Sequence, residues 1–201
     1  GAGKPRGLTA RVAHRVRDSA APIAPERCVV VTFTNRAANE MRARLETMIG
    51  ADRTRRLVLG TFHAVCVRFL RRWGTRLGLD PRFSIADTDD ARRLLRDVDR
   101  DAPVDATLAA LSRAKARGWT PDELRASAQH APGSPAHTEH LALCRTYAAY
   151  QQQLRTSHAL DFDDLLLLGV RLFREHPELT THIDHVLVDE FQDTNAVQYE
   201  L

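Results

Sequence analysis

Cysteine is scarce: Cys28, Cys66 and Cys144 are the only three, and they lie far apart. No two share the spacing of a metal-binding pair, so neither a zinc module nor a disulfide framework is expected. Each thiol reads as a small buried hydrophobe in a reducing compartment. No apolar run approaches the roughly 20 residues that cross a bilayer, which excludes a helical membrane span. The start carries no signal-peptide pattern, so a cytoplasmic protein without a membrane partner is expected. Internal repeats and low-complexity tracts are also absent, which excludes a solenoid. Charge of one sign is not in large excess. The formal net charge of +3 and pI of about 9.0 permit a nucleic-acid partner without demanding one. What is present is an ordinary globular balance, 43% hydrophobic and 27% charged over 201 residues, enough for one substantial domain or one domain carrying an insertion.

Along the chain, residues 7–18 carry apolar side chains at helical spacing, and Pro22 and Pro25 end that helix. The run Cys28-Val29-Val30-Val31-Thr32-Phe33 suits a buried parallel strand. Ala37, Ala38, Met41, Leu45 and Met48 recur every three or four residues, predicting a helix closed by Gly50. A second strand over 57–62 runs into a helix with Val65, Phe69, Leu70 and Trp73 on one face. This alternation predicts an α/β fold with a parallel sheet. The pattern changes near Asp87, and from there to about His158 no strand is expected. Asp87-Thr88-Asp89-Asp90 caps a helix through Leu94 and Val98, and helices follow over 105–117, 121–129 and 138–155, with a turn-rich loop at 131–135. Residues 161–176 are again helical, and His185 to Glu190 returns to a buried strand. The expected division is therefore 1–87 and 159–201 as an α/β unit, with 88–158 as an inserted all-helical subdomain.

Two places carry chemistry. Gly3-Lys4 ahead of a helix has the form of the end of a phosphate-binding loop: backbone N–H groups approach phosphate oxygens, the helix N-terminus favours negative charge, and Lys4 reaches the terminal phosphates. The bland alternative is a frayed glycine-rich terminus. At the other end, Val186-Leu187-Val188-Asp189-Glu190 is a strand that finishes in two carboxylates. Beside a phosphate loop such a pair holds Mg²⁺–nucleotide on Asp189 and orients or deprotonates water on Glu190, although acidic residues also simply end strands.

The continuation Asp189-Glu190-Phe191-Gln192-Asp193-Thr194 resembles the Walker B motif of superfamily 1 helicases of the UvrD/Rep/PcrA type. The run from Val31 to Met41 resembles their motif Ia, and Gly60-Thr61-Phe62-His63 their motif Ib. Leu160-Asp161-Phe162-Asp163-Asp164-Leu165 resembles the segment where the family's chain re-enters the motor domain. The opening Gly1-Ala2-Gly3-Lys4-Pro5-Arg6 resembles motif I, apart from Pro5. The motifs stand in family order across nearly the whole chain. The resemblance implies a RecA-like P-loop NTPase sheet with an inserted helical subdomain, and the N-terminal motor domain of an ATP-dependent 3′→5′ DNA helicase or translocase. It also implies that ATP and Mg²⁺ bind at Gly1, Ala2, Gly3, Lys4, Pro5, Arg6, Asp189 and Glu190, with Asp189 as the Mg²⁺ ligand. Gln192 is implied as the γ-phosphate sensor. Thr32, Phe33, Thr34, Asn35, Thr61, Phe62, His63 and Phe162 are implied as contacts to single-stranded DNA or to single/double-strand junctions. Phe33 and Phe162 could supply stacking faces on physical grounds too, though core packing is a phenylalanine's usual fate. Arg36, Arg42 and Arg44 read as a solvated helix face.

Pro5 departs from the pattern. A Ser or Thr there offers Mg²⁺ a hydroxyl, whereas proline offers neither hydroxyl nor N–H; it does suit the first turn of a helix. This sets an alternative, a DNA- or protein-binding module derived from such a motor but defective in hydrolysis; the helicase part of a helicase–nuclease is a third reading. The family's second RecA-like domain, which supplies arginines to the transition state, has no counterpart within 1–201. The strand expected before the phosphate loop would precede Gly1, and truncation at both ends is expected. Residues 1–201 alone are expected not to unwind DNA.

Overall fold

A computed structural model describes residues 4–128 and 131–201, with side chains from Gly7 onward. Among the described residues the strands are β1 (Cys28–Thr32), β2 (Val58–Thr61), β3 (Ser84–Ile85), β4 (Ala159–Leu160) and β5 (His185–Val188). The α-helices are α1 (Lys4–Ala13), α2 (Asn35–Ile49), α3 (Ala51–Arg56), α4 (Phe62–Trp73), α5 (Thr88–Val98), α6 (Val104–Ala116), α7 (Pro121–Ala126), α8 (Pro135–Thr156), α9 (Phe162–Glu175) and α10 (Ala196–Glu200). The molecule is thus mostly helical with small parallel sheets. It divides into two compact units: one holds residues up to Phe69 together with Arg171–Thr194, the other Leu70–Val170 together with Asn195–Leu201. Two of the three boundaries fall inside α4 and α9, and the third lies between Thr194 and Asn195.

The first unit is built on a parallel sheet in the order β2-β1-β5. The valine run makes β1 the middle strand, and all five of its residues are buried, as a strand flanked on both sides requires. Among the described residues β5 pairs with β1 alone. Val186 is 59% exposed there, which corrects the expectation of a wholly buried strand: an edge position leaves part of the apolar run in solvent. α2 starts where Thr34 accepts a hydrogen bond from the Ala37 N–H at 3.1 Å, and it ends at Gly50, whose φ of +85° suits a residue without Cβ. Its buried face, Ala38, Met41, Leu45 and Ile49, packs with Val12, Val16, Val30 and Leu59. Each fully buried aliphatic side chain in such a core contributes about 1.5–3 kcal/mol. α3 was not foreseen; six residues carry too little periodicity to announce a helix. Arg36 is exposed as expected, but Arg42 and Arg44 are half-buried, and Arg42 donates to the Leu59 carbonyl at 3.0 Å. The long aliphatic stem lets a surface arginine lie along the helix while its head serves a strand carbonyl.

In the second unit no strand occurs between 87 and 158 among the described residues. Asp87 and Asp90 form a reciprocal capping box at the start of α5, and Thr120 and Glu123 do the same at α7. Leu95, Leu111, Tyr147, Tyr150 and Leu154 form the core. The two-residue strands β3 and β4, too short for any sequence pattern, pair in parallel at the entry to and exit from this helical block. Ser84 N–H donates to the His158 carbonyl at 3.0 Å and Ala86 N–H to that of Leu160 at 2.8 Å. No helix among the described residues is long and apolar enough to cross a membrane.

Candidate functional site

The C-terminal edge of the three-stranded sheet gathers most of the residues singled out from the sequence. The parallel register sets Thr32 opposite Thr61, so the ends of β1 and β2 are level. Just past them the Phe33 and Phe62 rings meet edge-to-face with centroids 5.4 Å apart. On the other side of β1, the Asp189 N–H donates to the Val31 carbonyl at 2.9 Å, which fixes the first residue after β5 beside the end of the middle strand. Ligands of parallel α/β sheets bind outside the carboxyl ends of the strands. Gly60 shapes this edge: a Cβ on it would stand 3.0 Å from the Ala64 Cβ, so the absent side chain lets α4 follow directly from β2.

Exposure sorts these residues. Thr32 and Phe62 are buried; the Thr32 hydroxyl donates to the Thr34 carbonyl, and Phe62 gives its edge or face to Phe33. Phe33, Thr61 and His63 are half-buried, while Thr34 and Asn35 are exposed. Burial of the His63 ring pushes its pKa down to about 4, so it is neutral at physiological pH and can donate or accept one hydrogen bond without charge. The cysteine thiols Cys28 and Cys66 are buried and pushed up to about 11 and about 12, which makes them inert.

Asp189 and Glu190 are both half-buried. Glu190 adopts a left-handed conformation, φ +51° and ψ +42°, rare for a residue with a Cβ, and the Gln192 side-chain amide donates to its carboxylate. Such strain is retained where the surroundings over-determine it, often at functional sites. Gln192 itself is exposed. Among the described residues no group of three or more His, Cys, Asp or Glu side chains could hold a metal alone. A divalent ion held at Asp189 would have to take most of its oxygens from phosphate and water, the usual habit of Mg²⁺. Gly1, Ala2 and Gly3, and the side chains of Lys4, Pro5 and Arg6, lie outside the described residues. The backbone of α1 begins at Lys4 and carries Pro5 in its first turn, where proline breaks no helical hydrogen bond.

Phe162 belongs to the other unit. It is the first residue of α9 and 57% exposed, although Leu160 and Asp164 nearby are buried and Asp161 and Asp163 half-buried. Three carboxylates surround it, and the structure gives each a partner. Asp161 and Asp164 cap the helix reciprocally, Asp164 N–H to Asp161 Oδ1 at 2.9 Å and Asp161 N–H to Asp164 Oδ2 at 3.3 Å. Lys115 of α6, buried, places its Nζ 2.5 Å from Asp161 Oδ2, 2.8 Å from Asp164 Oδ1 and 3.3 Å from Gln151 Oε1. Burial works against both charges. The Asp164 carboxyl is held above the usual range, first by burial and then by Asp161, while the two carboxylates outweigh burial at Lys115 and hold its ammonium above its ordinary value. Asp163 is also raised chiefly by burial, against which Ser112 favours its charged form.

Sequence reasoning missed Lys115, Ser112 and Gln151. A signal existed. The chain uses lysine only twice, at 4 and 115, amid abundant arginine, and Lys115 stands on the buried stripe of α6 with Thr107, Leu111 and Ala114. Where three acceptors converge in a dry site, a compact ammonium with three donors fits better than a planar guanidinium.

Comparison with known proteins agrees with these motifs. The profile of the UvrD/REP helicase N-terminal domain matches residues 1–201. The chain is 37% identical over 212 aligned positions to the ATP-dependent DNA helicase PcrA of Leuconostoc citreum, covering 100% of this chain and 27% of that protein. It is 34% identical to the proteins of the same name from Staphylococcus epidermidis and Staphylococcus aureus, covering 100% of this chain and 28% of each. The chain thus spans little more than a quarter of the length of these relatives, and its small parallel sheet with abundant helix is consistent with a RecA-like helicase domain. On the whole-length match and the ordered motifs, the chain belongs to the UvrD/REP helicase family, in the region of its N-terminal domain.

Proposed function

We propose that this chain is the ATP- and single-strand-binding part of a 3′→5′ DNA helicase or translocase motor, with 88–158 as a helical insertion in a RecA-like domain. The observation that carries the reading is the convergence at one sheet edge of Asp189 and Glu190 after β5, Thr32 to Asn35 after β1, and Thr61 to His63 after β2. Asp189 would hold Mg²⁺ and Lys4 would lie against the β- and γ-phosphates. The bound metal would neutralise charge developing on the phosphoryl oxygens. Glu190, turned by its left-handed backbone, would orient and deprotonate the attacking water, and Gln192, hydrogen-bonded to Glu190, would register the state of the γ-phosphate. Phe33 and Phe162 would stack on bases, with Thr34, Asn35, Thr61 and the neutral His63 hydrogen-bonding the strand.

A second RecA-like domain of the same protein would complete the ATP site with arginines. Pro5 favours one further reading, a motor that binds nucleotide and DNA with hydrolysis impaired, because position 5 offers the metal no hydroxyl. In the complete polypeptide that carries these residues, Pro5→Thr is expected to raise DNA-stimulated ATP hydrolysis at least about tenfold, the scale of one electrostatic contact to the transition state. Equal rates with and without the substitution contradict this account of the metal site. ATP-driven strand displacement by residues 1–201 alone contradicts the need for a second domain.

A further inference from the structure

Phe162 is an apolar ring exposed on an acidic turn that is otherwise buried or half-buried. It starts α9, between Asp161 on one side and Asp163 and Asp164 on the other; the Asp161 and Asp164 carboxylates are largely buried and Asp163 is half-buried, while the ring is 57% exposed. Their counter-groups come largely from α6. Lys115 serves Asp161 and Asp164, the two members of the capping box, and Ser112, one turn earlier on the same helix, favours the charged form of Asp163. Gln151 of α8 donates to Asp164 Oδ1 at 2.9 Å and accepts from Lys115. The Tyr147 and Tyr150 rings stand 5.8 Å and 5.3 Å from the ammonium and seal the site from water.

We propose that Ser112 and Lys115 are positioning residues for nucleic-acid binding: they pull the three carboxylates of the first turn of α9 onto α6 and so present the Phe162 ring to a base. This rests on the reading that Phe162 stacks on DNA.

The test is single-strand affinity for a labelled oligothymidine, measured with the complete polypeptide as Phe162→Ala, Lys115→Met, Ser112→Ala and the double variants with Phe162→Ala. A lost stacking contact weakens binding about tenfold, so Phe162→Ala and Lys115→Met are each expected to lose about that much, and Ser112→Ala about threefold. Because α6 acts through the ring, Lys115→Met is expected to cost nothing further once Phe162 is alanine. A residue with a merely structural role would lose affinity equally in both backgrounds, and that additivity would overturn the inference. If Phe162→Ala weakens binding while Lys115→Met and Ser112→Ala bind like the parent, the inference fails and the stacking reading stands. If Phe162→Ala itself binds like the parent, the stacking reading fails and the inference with it. Should Lys115→Met not fold, Ser112→Ala, which removes only the partner of Asp163, decides by the same comparison.

Discussion

Asp164 in the helical unit and Asp189 in the sheet unit each lie just past a short parallel strand, and their surroundings differ in kind. Asp164 is 1% exposed, capped into a helix N-terminus and fixed by Lys115 and Gln151. Asp189 is half-buried at a sheet edge, its backbone tied to Val31, and among the described residues no ion pair engages its carboxylate. A carboxylate whose lone pairs are satisfied inside the fold stabilises the fold. One held in place by its backbone with its oxygens unspent is available to a ligand. The same residue type thus serves architecture in one unit and candidate chemistry in the other, and what separates the roles is the local cation.

The sharpest way to break that contrast is stability. Lys115→Met leaves two buried carboxylates without their cation and is expected to cost about 3–5 kcal/mol, read from the midpoint of urea unfolding. Asp189→Asn removes a charge that the fold does not use and is expected to shift the midpoint by less than about 0.5 kcal/mol. Comparable losses for the two would erase the distinction. Next in size is the proposed DNA contact at the sheet edge: Phe33→Ala is expected to weaken single-strand binding by about 1 kcal/mol, near the lower end for a stacked base because the ring is half-buried against Phe62. Unchanged affinity would return Phe33 to the core.

A smaller effect concerns pH. The folded-state pKa of His63, about 4, lies below its ordinary 6.5, so the unfolded chain takes up the proton first. The stability this histidine contributes is complete above pH 6.5 and is lost as pH falls toward 4. His63→Gln is expected to fall less in stability than the parent between pH 7 and 4.5; parallel pH profiles would contradict its burial. Smallest of all, Arg36→Ala is expected to change stability by less than about 0.5 kcal/mol, since the Arg36–Glu40 pair lies in solvent with the arginine side chain 90% exposed.

Much of this was legible in the residues. The β-branched run at 28–32, the three-to-four spacing through Ala38, Met41 and Leu45, and the acidic caps at Asp87 and Asp90 each state a local preference that the fold keeps. The ordered motifs placed the candidate site on strand ends. What escaped depends on neighbours distant in sequence or on elements too short to have a period. Lys115 and Asp161 are 46 residues apart, β3 and β4 are two residues each, and nothing in Val186 announces an edge strand. Arg42 looked solvated because periodicity reports where a Cα–Cβ bond points, not where a long flexible side chain ends.

The central claim is that the carboxylate after β5 holds magnesium on a bound triphosphate, and its most direct measurement is ATP affinity with and without Mg²⁺ in the complete polypeptide and in Asp189→Asn. The expected result is a gain on adding Mg²⁺ of about tenfold or more in the parent, the scale of one well-placed charged contact, and little or none in Asp189→Asn. An equal gain in both proteins, or none in the parent, would contradict the claim.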